Sequence, residues 1–164
     1  MGGAYRARDT ERPGQDHVEM KSHPIDDATA GYILETRKCF EDLRQVTAQI
    51  AGVLVLAAAG GTSGTPDHPM LEAAAELHRE ALDRLRGVRP TERARGHHLC
   101  LTEAAQALSI ALSIALSGRQ RIEIAPVLLP VRAAYAHLER AAGTLPGFEM
   151  VAFQQGCCAA ALVS

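Results

Sequence analysis

The residues best suited to chemistry in this sequence are its histidines and cysteines. His78, His97, His98 and His137, with Cys39, Cys100, Cys157 and Cys158, supply the nitrogen and sulfur donors that a borderline or soft metal prefers. If two helices run antiparallel through a turn near residues 88–89, positions 78 and 98 are level, so His78 and His98 are expected to face each other on inward stripes. With His97, Cys100 or His137 completing the shell, that pair would hold a first-row transition metal, or a non-covalent haem between two imidazoles. The alternative is two structural histidines that hydrogen-bond each other or Gln49 and set the register of the core, or a contact that responds to pH.

The spacings limit these readings. The Cys and His residues do not form two pairs at zinc-site spacing, and neither Glu-x-x-His nor Cys-x-x-Cys-His occurs. Cys39, Cys157 and Cys158 are expected at one end of the fold, where they would form a second thiol cluster. Arg84, Arg86, Arg89, Arg93 and Arg95 crowd the same turn and could grip an anion, although without interleaved aromatics they do not read as a single-strand nucleic-acid surface. The Gly60–Thr65 run lacks the lysine of a phosphate-binding loop, and no serine stands in a nucleophile elbow. A non-catalytic protein is therefore expected.

Two short runs resemble known families. Arg37–Ile50 is similar to the first metal-ligand helix of small helical copper-sensing repressors, but that family's following His-x-x-x-Cys is absent. Ala136–Gly143 is similar to the phosphorylated helix of histidine phosphotransfer bundles, with Ala141 where that family keeps a glycine. Both departures fall on positions that carry the families' chemistry, so neither resemblance transfers a function.

Helices must position these side chains. The 164 residues are 47% apolar, carry a formal net charge of -2, and suffice for one domain with a core. Residues 1–24 read as a polar flexible tail without a secretory apolar segment, which with the unpaired cysteines points to the cytoplasm. Residues 25–164 read as an all-α, antiparallel up-down four-helix bundle with a short C-terminal helical segment over 148–162. Helix A runs from an Asp26 or Asp27 cap to Ala59, with Ile33, Phe40, Leu43, Thr47, Ile50, Leu54 and Ala57 inward. Helix B starts at Asp67 and ends near Arg86. Helix C, capped by Thr91, puts His98, Leu101, Ala105, Leu108 and Leu112 inward, and helix D covers about Ile122–Ala142 despite Pro126 and Pro130.

The apolar stretches Ile50–Ala59 and Ala107–Leu116 fall short of the roughly 20 residues that span a bilayer. Helix A outruns helix B by about a dozen residues, roughly 18 Å. That overhang leaves Tyr32, Ile33 and Phe40 exposed unless the C-terminal segment or a second subunit covers them, so a homodimer is expected. Two functions follow: a small cytoplasmic binding protein for a metal or haem, or a homodimeric interaction or adaptor module with structural histidines.

Overall fold

The computed structural model describes residues 25–60, 65–118 and 121–150. The expected tail over 1–24, most of the Gly60–Thr65 loop, the part of the expected C-terminal helical segment beyond Met150, and Cys157 and Cys158 lie outside the described residues, while residues 148–150, the expected start of that segment, are not helical.

Four helices make up the fold: α1 (Asp27–Ala58), α2 (Pro69–Gly87), α3 (Arg95–Ser117) and α4 (Ile124–Ala142), with no strand among the described residues. Each helix packs on the next, and α1 closes the ring on α4, which is compatible with an up-down bundle. Arg44 of α1 donates to Glu149 O, which brings the chain after α4 beside the middle of α1.

The start of α1 is held by its own side chains. Asp26 Oδ1 accepts from Thr29 N (2.7 Å), Oδ2 accepts from Thr29 Oγ1 (2.9 Å), and Thr29 Oγ1 lies 3.0 Å from Thr91 Oγ1. This Asp cap satisfies one of the donors a helix start leaves open and ties α1 to the segment that leads into α3. The carboxyl is held below its usual pKa by the Thr29 backbone and hydroxyl donors. Asp26→Ala is expected to lower the midpoint of urea unfolding, and Asp26→Ser to restore most of it. Equal midpoints for wild type and the Ala variant would remove the cap from the account.

Thr91 does not cap α3 as expected. Its hydroxyl pairs with Thr29, residues 92–94 form a turn, and α3 begins at Arg95. Likewise His68, not Asp67, caps α2, its Nδ1 accepting from Met70 N at 3.1 Å. In α4 Pro126 occupies the first turn, where its missing N–H forfeits no helical bond, and Pro130 sits inside the helix without ending it.

The core follows the expected stripes on α1, α2 and α4. On α4 Val127, Val131, Ala134, Leu138 and Ala141 are all buried. The 23 residues of α3 are long and apolar enough by composition to cross a membrane, but the helix packs against all three others and buries Leu101, Ala104, Leu108, Ala111 and Ala115. Alanine along these seams lets the helix backbones approach closely.

The overhang is covered on its Tyr32 and Phe40 side, while Leu34 stays 74% exposed. Tyr32 and Phe40 are 3% and 1% exposed, because Phe148 returns to stack on Phe40 (centroids 5.2 Å apart) and on His97 (4.1 Å). The chain after Gly143 covers this end, the first of the two coverings expected, so the overhang no longer calls for a second subunit.

Candidate functional site

His78 and His98 do not form the expected facing pair. His78 Nε2 lies 2.8 Å from Ala105 O and 3.3 Å from Ser109 Oγ, so its level on α3 is seven residues past His98, about 10 Å. The reason lies in the connection: it occupies 88–94, which moves the mirror point of the two helices from 88–89 to about 91. Burial holds the His78 imidazole below its ordinary pKa, so the neutral ring donates Nε2–H to the Ala105 carbonyl.

The contact of His78 with Ser109 raises the question of a nucleophile and its base. Ser109 Oγ itself donates to Ala105 O at 3.2 Å, and the same Nε2 already serves that carbonyl. A ring nitrogen carrying its proton cannot also take one from the serine, so the arrangement ties α2 to α3 rather than activating an oxygen.

His97, the residue expected to complete a shell, is instead a core side chain with 0% exposure. Its Nδ1 is 2.9 Å from Tyr32 Oη, the rings meeting edge-on at 87°. Burial, reinforced by neighbouring His98, pushes its pKa down to about 4. Tyr32 in turn is pushed well above the ordinary phenol value by burial. Both groups are therefore neutral near pH 7, and whichever of them donates, His97 Nε2 is left buried without a hydrogen-bond partner. His98 is half-buried in a groove between α2 and α3, beside Thr102, Gln106 and Ser109, and its Nδ1 is also unpartnered.

The remaining donors are dispersed. Cys100 is half-buried and free. His137 Nδ1 lies 2.7 Å from Glu103 Oε2 and also contacts Arg140, bridging α4 to α3. Cys39 Sγ donates to Ala81 O at 3.4 Å, and burial pushes the thiol up to about 12, so it packs as an inert side chain. Among the described residues no group of three His, Cys, Asp or Glu is placed to hold a metal ion.

Carboxylates accompany much of the arginine cluster. Arg84 contacts Asp42 across α1 and α2 and bonds Glu80 at 2.9 Å, Arg86 bonds Asp83 at 3.2 Å, and Arg95 lies 3.8 Å from Glu92. Arg89 is exposed, and the acid-capped N-terminus of α1 lies close enough to Arg93 for mutual attraction. The cluster closes the bundle's turn with mixed charge.

The feature that sequence reading missed is an apolar belt. Leu129 on α4 is 74% exposed, Val55 on α1 68% and Ile110 on α3 56%. In an up-down arrangement, the groove that Ala51 and Tyr135 both line brings Val55, one turn on, near the level of residue 131, and the Glu103–His137 contact brings Ile110 near that of Pro130. Residues 45–59, 104–117 and 124–131 contain no charged side chain, a signal that was present in the sequence.

Comparison with known proteins settles nothing further. No family model matches the chain, and neither a curated protein nor a solved structure was found to match it. The reading of function rests on the side chains alone.

Proposed function

We propose that this chain is a non-catalytic helical interaction module that works as a homodimer, joined through the belt of Val55, Ile110 and Leu129. The observation that carries the reading is three large aliphatic side chains, each more than half exposed, on three helices that pack on one another, with Arg132 the one charged side chain within four residues of any of them. Contiguous exposed apolar surface of this kind marks interaction sites, and depletion of charge is typical of interface cores. A second copy is the occupant because closed two-fold pairs are the commonest soluble assemblies, and Leu129 on the outer ridge of α4 is suited to meet its own counterpart.

Leu129→Arg is expected to convert a dimer into a monomer by light scattering. Because Leu129 makes few contacts within its own chain, stability of the monomeric unit should change by less than about 0.5 kcal/mol. A wild-type monomer would remove the dimer reading. A second proposal, binding of a transition metal or haem, is favoured by the unpartnered His97 Nε2 and His98 Nδ1. Zinc, copper(I) and haemin titrations test it; an unchanged melting temperature and absorbance with all of them would exclude it.

A further inference from the structure

Between α1 and α4 runs a groove of about 540 Å³ whose walls are Ala48 and Ala51, with Arg44 and Thr47 at one end, on one side and Tyr135 and Leu138 on the other. Met150, at the end of the described chain, is already in its lining. Two contacts bring the chain there. Phe148 is locked against Phe40 and His97, and Arg44 donates to Glu149 O at 3.2 Å.

Residues 151–164 continue from this point, and their sequence, VAFQQGCCAAALVS, has no charged side chain. We propose that this groove is the docking site of residues 151–164 of the same chain, with Phe153 as the anchoring side chain between Ala51 and Tyr135. Phe153 follows Met150 by three residues, so its effective concentration at the groove exceeds that of any separate molecule. Length is sufficient as well: fourteen residues reach about 21 Å as a helix, and the wall from Arg44 to Ala51 rises only about 10 Å. The walls suit an uncharged apolar segment: small alanines face a ring and an aliphatic side chain. The inference does not rest on the dimer reading, since Leu129 lies on the outer ridge of α4 rather than in this groove.

Cys157 and Cys158 provide the probe. No Lys or Arg follows Arg140, so one tryptic peptide, 141–164, carries both thiols, and another, 39–44, carries Cys39 as a folding control. The full chain is labelled with N-ethylmaleimide and the two peptides are followed by mass spectrometry. Docking predicts that Cys157 and Cys158 react at least about tenfold more slowly than in a free 151–164 peptide. Ala51→Glu, in the groove, and Phe153→Ser, outside the described bundle, should each abolish that protection while Cys39 stays unreactive. Reaction at the free-peptide rate in the wild type would overturn the proposal, as would protection that survives Phe153→Ser. Protection lost on dilution together with a halving of mass would assign the groove to a second copy and overturn docking within one chain.

Discussion

Acidification from about pH 7 to pH 4 is expected to cost the folded chain about 3 kcal/mol through His97 alone, at roughly 1.4 kcal/mol per pH unit of pKa difference. The folded-state value is about 4, while the unfolded imidazole titrates near its model value of 6.5. Between those values the unfolded chain binds a proton that the folded chain refuses, so stability rises with pH across the window. It is fully present above the unfolded value and lost as pH falls toward the folded one. The physical cause is the site: an imidazole with no exposure, enclosed by Tyr32 and Phe148, with His98 adjacent. His78 and His98, both lowered by burial, act in the same direction.

Urea unfolding at several pH values tests this with His97→Phe. The phenyl ring keeps the stacking on Phe148 but leaves the Tyr32 hydroxyl without its partner, which is expected to cost about 1–3 kcal/mol near neutral pH. In exchange the variant should lose the His97 share of the slope between pH 6.5 and 4, leaving that of His78 and His98. A slope equal to that of the wild type would show that His97 is not what acid attacks.

Leu108→Ala should be the most damaging single truncation, at about 3–5 kcal/mol. Leu108 is 0% exposed near the middle of α3, the helix that contacts all three others. Four of its five buried neighbours on the same helix, Ala104, Ala105, Ala107 and Ala111, have no atoms that can swing into the space vacated, and Leu112 is the fifth. The cavity therefore persists, and cavities that cannot collapse lie at the upper end of the cost. Against a typical domain stability of about 5–15 kcal/mol the loss is a large share. Leu129→Ala, compared at a concentration where both variants are monomeric, should cost under about 0.5 kcal/mol. A Leu108→Ala loss of about 1 kcal/mol or less would show that α3 is not the central helix.

Helix periodicity carried much of the fold. The α4 stripe, Val127 to Ala141, is buried as its spacing indicates, because each position is repeated at steps of three and four. Where periodicity allows two answers, contacts far along the chain decide. His97 and His98 both lie within one turn of Leu101, and Tyr32 and Phe148 select His97 as the inward ring. The level of His78 depended on where α3 starts, and the Thr29–Thr91 contact and the turn at 92–94 shift that point toward Arg95.

Charge pairing shows the same division. Glu80 with Arg84 and Asp83 with Arg86 are local, at spacings that sequence displays directly. Asp42 with Arg84 joins two helices and becomes visible only in the fold. The apolar belt was legible as three charge-free stretches, but its meaning depended on knowing that Val55, Ile110 and Leu129 face outward.

Sedimentation equilibrium of the full chain, from low to high micromolar concentration, tests the central claim most directly. The account predicts a mass of twice the chain's at the upper end, and a single-chain mass throughout for Leu129→Arg. A wild-type mass equal to one chain at every concentration, or a dimer that Leu129→Arg leaves intact, would contradict it.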